Sequence, residues 1–206
     1  SGCRKKEEEL LRLASSLHSS RLANKKVLEK GICAELSPLG MPNAVVDFSL
    51  KVVELGLKGN TETTLLFSSN KGMESRDISK VASGGEMSRF MFVLKYLLAQ
   101  KTEMPTIIFD EIDTGVSGEI ALKMGLMMGV MAKEHQLVSI THLPQVAGLG
   151  DQHYYVYEDH SAARTSSNMK MLTNEERVSE IAKMIGGESP SVSALESAKE
   201  LLKESN

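Results

Sequence analysis

The sequence predicts an α/β fold, and two apolar strands interleaved with helical stretches are what predict it. Thr106, Ile107, Ile108 and Phe109 form a short apolar run rich in β-branched residues, which reads as a buried strand entered at Pro105. Leu137, Val138, Ser139 and Ile140 read as a second. Helical spacing precedes each strand. Met87, Phe90, Met91, Leu94, Leu97 and Leu98 recur over residues 86–100, while Leu122, Met124, Leu126, Met127, Met128, Val130 and Met131 cluster over residues 119–135. A Met-rich helix can form an adaptable surface, but core packing is the expectation for this one.

A chain of 206 residues is long enough for one substantial core with a helical appendage. Its 41% hydrophobic and 25% charged residues are ordinary for a soluble globular protein. The net charge of −3 argues against a dominant basic surface, so charge alone does not imply nucleic-acid binding. Cys3 and Cys33 follow no metal or disulfide spacing and fit a reducing cytosol. No segment is apolar enough to span a membrane, and no signal peptide is evident.

In chain order, residues 4–30 lack Gly and Pro and carry Leu10, Leu13, Leu17, Val27 and Leu28 as an apolar stripe, interrupted by Ser20 and Asn24. This predicts an amphipathic helix, broken at Gly31 and again by the Pro and Gly of residues 37–42. Over residues 45–55, Val46, Phe48, Leu50 and Val52 alternate with Asp47, Ser49 and Lys51, as in a strand. Turn residues at 56–61 and a returning strand at 63–67 complete a hairpin. Residues 68–79 are polar and read as a surface loop. Towards the other end, residues 152–157 and 165–172 read as strands joined by a turn at Glu158, Asp159, His160 and Ser161. His153 and His160 have no evident partners and are expected at the surface. Thr173 and Glu176 form a capping box for a helix carrying Val178, Ile181, Ala182 and Ile185 and ending at Gly186 and Gly187. Ser193 and Glu196 are expected to open the last helix, which runs to about Leu202.

Three short stretches carry chemistry. The strand at 106–109 ends in two adjacent carboxylates, Asp110 and Glu111. Ligands of open α/β sheets gather beyond the carboxyl ends of the strands, where one acid can hold Mg²⁺ through water and the next can polarise a water for attack on a phosphate. Upstream, Ser83, Gly84, Gly85 and Glu86 open a helix. The glycines allow close backbone approach to an anion, the helix-start N–H groups face it, and Ser83 with Glu86 has capping-box spacing. Downstream, the strand at 137–140 ends in Thr141 and His142, an imidazole placed to contact a terminal phosphate. Singly, each has a plainer reading: a solvated acidic turn, a capped helix, a structural histidine.

Together and in this order, the stretches resemble the C-terminal half of an ABC-type ATPase head. Ser83-Gly84-Gly85-Glu86 matches the signature motif, and Ile107 to Glu111 match Walker B with its catalytic glutamate. Asp113 to Gly118 occupy the D-loop position and His142 the switch-histidine position. Glu86 in place of Gln points to the DNA-repair and chromosome-organising branch. The longer runs from Lys80 to Arg89, Phe109 to Glu119 and Ile140 to Ala147 look like the RecN family of bacterial DNA repair proteins, and the likeness extends from about Leu10 onward.

The resemblance implies the C-terminal part of a P-loop NTPase head, a mostly parallel sheet flanked by helices. Residues 1–36 would be the helix at the root of a coiled coil, with part of its stripe exposed, and residues 37–206 the C-terminal lobe. It further implies ATP and Mg²⁺ as cofactors, held between two heads of a homodimer. Asp110 would orient Mg²⁺, and Glu111 would act as general base. His142 would contact the γ-phosphate. Ser83, Gly84, Gly85 and Glu86 would serve the opposite head's nucleotide, and Asp113 would link the two sites. DNA would be engaged through the full-length assembly in recombinational repair, in the cytoplasm at the nucleoid, without a membrane. The phosphate-cradling motif G-x-x-x-x-G-K-[ST] does not occur in the sequence. In this family it lies in the N-terminal half, so the chain alone is expected to be inactive. The competing readings are the head of an SMC-type chromosome-organising ATPase and a non-catalytic dimerisation module that binds nucleotide in trans.

Overall fold

A single helix of unusual length opens the chain. In the computed structural model, which describes residues 2–80, 84–159 and 166–203, helix α1 spans Gly2–Leu36. It runs straight through Gly31, where a break was expected. Glycine in a helix interior costs about 1 kcal/mol, but Ile32 and Leu36, 2% and 0% exposed, bury the final turns and outweigh that cost. Towards the amino end, Leu10, Leu13 and Leu17 lie exposed, as do Val27 and Leu28 further on. The apolar stripe read from the sequence therefore faces solvent over most of its length.

Two compact units follow from the packing, Ser1–Leu97 and Leu98–Asn206. In the first, α1 packs on an antiparallel hairpin of β1 (Val45–Gly56) and β2 (Gly59–Ser68). Glu29 is the tie between them. Buried in α1, its carboxylate accepts the Phe48 N–H at 2.9 Å and pairs with Lys25 and Lys26. Lys25 also meets Asp47 at 2.8 Å. Only Val46 on β1 is buried, whereas Val52 on the expected inner face is exposed. The far end of the hairpin meets α1 through Thr61, whose Oγ1 lies 2.9 Å from His18 Nδ1. The stretch expected as a loop contains a third strand, β3 (Arg76–Asp77), paired with Leu66 and Phe67, and a 3-10 turn at Ile78–Lys80. Asp77 holds that turn by accepting from Ser79 N and Oγ at 3.0 and 2.7 Å.

Helix α2 (Gly84–Ala99) begins in this unit. Its buried face is Phe90, Phe92, Val93 and Ala99, with Phe90 packed on Phe67 of β2 at a ring-centroid distance of 4.9 Å. Met91 and Leu98, part of the apolar spacing read from the sequence, are exposed. They flank the stripe that Phe90, Val93 and Leu97 define at spacings of three and four.

The second unit contains the parallel pair β4 (Thr106–Asp110) and β5 (Gln136–Ile140), joined by α3 (Gly118–Ala132). Residue-for-residue pairing from Thr106 opposite Gln136 to Asp110 opposite Ile140 ends both strands at one level. The pair is buried on one face only: Ile107 and Phe109 are covered, Ile108, Val138 and Ile140 exposed, where a strand buried on both faces was expected. Met124, Met128 and Met131 pack inward as core, while Leu126 and Val130 face out. After the short α4 (Pro144–Gly148), β6 (Tyr154–Asp159) pairs antiparallel with β7 (Ser166–Met171). Glu158 and Asp159, expected in the turn, complete β6, whereas His160 and Ser161 lie outside the described residues.

Helices α5 (Asn174–Gly186) and α6 (Val192–Lys203) close the chain around Ile181, Ala182 and Ala198. The Thr173 capping box is present in both directions, with Glu176 N reaching Thr173 Oγ1 at 3.3 Å and Thr173 N reaching Glu176 Oε2 at 2.9 Å. The cap of α6 is Ser191, which accepts the Ala194 N–H at 3.2 Å, and not Ser193 as expected. Among the described residues, no helix is long and apolar enough to cross a membrane.

Candidate active site

The level ends of β4 and β5 bring the chemistry-bearing residues of the second unit to one edge. Asp110 is the last residue of β4 and Glu111 the first beyond it; Thr141 and His142 leave β5 at the same level. Asp110, Glu111 and His142 are all exposed, as groups that meet a solvent-borne ligand must be. The open groove lined by Met104, Pro105, Glu134 and His135 lies at the other end of the strands and contains none of them.

Glu111 is the only described non-glycine residue with a left-handed backbone, at φ 48°. That conformation costs an ordinary L-residue about 1–2 kcal/mol. Backbone bonds on both sides hold it. Its N–H donates to Ile140 O at 3.1 Å, and its carbonyl accepts from Thr114 N at 3.1 Å and Thr114 Oγ1 at 2.8 Å. Gly115 and Gly118, at φ 76° and 58°, complete the reversal from β4 into α3, where a Cβ would be strained. Strained non-glycine residues cluster at functional sites, so the conformation points to Glu111 independently of its side chain.

Asp113 behaves differently from its neighbours. It is 1% exposed, and its Oδ2 accepts the Thr141 hydroxyl proton, while Thr141 Oγ1 in turn accepts the Leu143 N–H at 3.0 Å. Asp113 Oδ1 is buried without a hydrogen-bond partner. Expected to reach across to a second head, Asp113 here turns inward to β5 of its own chain. The bond between Thr141 and Asp113 is not legible in the sequence, since a threonine before a histidine carries no local signal of a buried carboxylate.

In the first unit, Gly84 opens α2 and is exposed, with Gly85 and Glu86 half-buried; Ser83 lies outside the described residues. A Cβ added at Gly84 would meet nothing within 4 Å, so packing within this chain does not require a glycine there. Ser88 Oγ donates to Gly84 O at 2.9 Å, fixing the first turn.

His153, expected at the surface, is half-buried, and burial together with the nearby Arg177 guanidinium holds its imidazole below the usual histidine range. Arg177 of α5 is itself buried and donates to the carbonyls of Gly148, the last residue of α4, and of Gly150 and Asp151 just past it. Among the described residues, no three His, Cys, Asp or Glu side chains group as a metal cage. Asp110 as a lone exposed carboxylate fits Mg²⁺, which keeps most of its waters and commonly takes one or two carboxylates plus substrate phosphates.

Comparison with known proteins agrees with this architecture. No protein-family model matches the chain. It is 40% identical over 190 residues to the DNA repair protein RecN of Rickettsia conorii, covering 92% of this chain and 35% of that protein. It is 37% identical to RecN of Vibrio cholerae, covering 92% and 34%. The chain thus spans about a third of the length of the curated relatives it matches. Among solved structures, the Smc head domain with a coiled coil and joint from Pyrococcus yayanosii superposes with a TM-score of 0.59 at 14% identity, over 98% of this chain and 34% of that one. A structure described as concerning ATP-driven dimerisation and DNA-stimulated activation of SMC ATPases gives 0.57 at 14% identity, over 84% and 99%. These likenesses give the fold, that of the α/β SMC head domains. Over nearly its whole length, the chain is homologous to the C-terminal part of the DNA repair proteins named RecN.

Proposed function

We propose that this chain is the C-terminal part of an ATP-hydrolysing DNA double-strand-break repair protein, and that it supplies the signature-motif helix start, Asp110, Glu111 and His142 to a dimer of ATPase heads. The observation that carries the reading is the left-handed Glu111 between Asp110 and the buried Asp113, at the same end of the parallel pair as the exposed His142. An acid held in a strained conformation at a strand tip is arranged for a reaction.

Mg²⁺-bound ATP would supply the phosphorus centre that is attacked. Asp110 would orient the metal through its water shell. Glu111 would take the proton of the attacking water. His142 would donate a hydrogen bond to the terminal phosphate oxygens as their charge grows. Gly84, Gly85 and Glu86, at the start of α2, would present backbone N–H groups to the phosphate of the partner head, with Ser83 adding its hydroxyl. The open space around Gly84 supports that use. The relatives' name and the dimerisation and DNA stimulation described for the SMC neighbour support a homodimer acting on DNA, which would place the protein in the cytoplasm at the nucleoid.

In the full-length protein, Glu111→Gln should leave ATP binding intact and slow hydrolysis by about 100-fold or more, the usual contribution of a general base. Steady-state hydrolysis equal to that of the unaltered protein would remove Glu111 from its role. The chain alone, lacking a G-x-x-x-x-G-K-[ST] loop, should show negligible turnover.

A further inference from the structure

We infer that Asp113 and Thr141 form a buried latch that sets His142 relative to Glu111, making both of them positioning residues for hydrolysis. The inference rests on the proposed roles of Glu111 and His142. On the β5 side, the residues flanking His142 are held by three hydrogen bonds. The Ile140 carbonyl accepts the Glu111 N–H at 3.1 Å, the Thr141 hydroxyl donates to Asp113, and the Leu143 N–H donates to Thr141 Oγ1 at 3.0 Å. On the β4 side, Val116 N donates to the Asp113 carbonyl at 3.0 Å, and Thr114 closes on Glu111 O. The two segments that carry the general base and the imidazole are thus joined by one side-chain bond and one backbone bond.

The burial of Asp113 argues that this bond serves more than packing. A carboxylate 1% exposed, with one oxygen bonded only to a hydroxyl and the other unpartnered, is an unfavourable way to fill a core position. An apolar residue of similar volume would pack there without that desolvation. What it would lack is an acceptor that fixes the Thr141 hydroxyl, and through it the direction in which the chain leaves β5. Groups that orient reacting side chains from behind are often buried polar residues of this kind.

The test uses the full-length protein and a double-mutant cycle. Thr141→Val keeps the shape of the side chain and removes both hydrogen bonds; Thr141→Ser restores the hydroxyl. Thr141→Val should lower kcat by about 10–100-fold, the usual effect of losing an orienting partner, with little change in KM for ATP, and Thr141→Ser should recover most of the loss. Because Thr141 acts through His142, adding Thr141→Val to His142→Ala should lower kcat no further than His142→Ala alone. Should Thr141→Val fold poorly, Asp113→Ala takes its place in the same cycle with the same expectation. Losses that multiply in the double variant would overturn the latch, as would a kcat unchanged by Thr141→Val or an inert His142→Ala. Loss of hydrolysis in Glu111→Gln together with full activity in Thr141→Val would sink the latch alone. Full activity in Glu111→Gln would sink the hydrolytic reading beneath it.

Discussion

Replacing Glu111 by glycine should make the protein more stable and abolish its proposed activity at once. At φ 48°, the residue bears a left-handed penalty of about 1–2 kcal/mol that glycine does not. Glycine gives back about 0.5–1 kcal/mol through the greater freedom of its unfolded chain. The backbone bonds to Ile140, Thr114 N and Thr114 Oγ1 use the N–H and carbonyl of residue 111 and survive the change. The carboxylate is exposed, so little packing is lost. The net gain is about 0.5–1 kcal/mol, or a rise of about 1–4 °C in Tm for a chain of this size. Thermal unfolding of Glu111→Gly beside Glu111→Gln separates backbone from side chain, since glutamine keeps its Cβ and the same penalty. A lower Tm in the glycine variant, or an equal rise in both, would refute the argument that the site stores backbone strain.

The helix cap and the ion pairs of the first unit give further tests. Thr173→Ala removes both halves of a capping box and should destabilise the protein by about 1 kcal/mol, read by urea unfolding. The Lys25 ammonium, bonded to Asp47 at 2.8 Å, holds that carboxyl below its usual range. A depressed folded-state pKa stabilises above the unfolded value and is lost as pH falls through the folded one. Asp47→Asn should therefore lower stability at neutral pH, and the difference should shrink as the solution is acidified below the ordinary carboxylate range. A difference that grows towards acid would contradict the pairing.

The features legible in the sequence were those whose cause is local. Thr173 and Glu176 stand three apart and make the box that this spacing predicts. Strands β4 and β5 follow from short apolar runs between helices, and the acids and histidine at their ends are where the pattern put them. What stayed hidden depends on residues far apart in the chain. The continuation of α1 through Gly31 needs Ile32 and Leu36 to be buried, and Ile32 and Leu36 cannot announce that from their own neighbours. Pairing of Arg76 and Asp77 with β2 is invisible in a polar stretch. Ser191, rather than Ser193, caps α6, because the helix starts two residues before the spacing of Ser193 and Glu196 would have it. The inward turn of Asp113 was least accessible of all, since its partner lies 28 residues away.

The guanidinium of Arg177 extends the site's dependence to the end of the chain. By gripping the carbonyls of Gly148, Gly150 and Asp151, it moors the segment that α4 links directly to His142. Helix α5, which carries Arg177, is therefore ballast for the imidazole. Trimming or fusing partners near α5 would be felt at the strand ends, as a histidine whose following segment had come adrift.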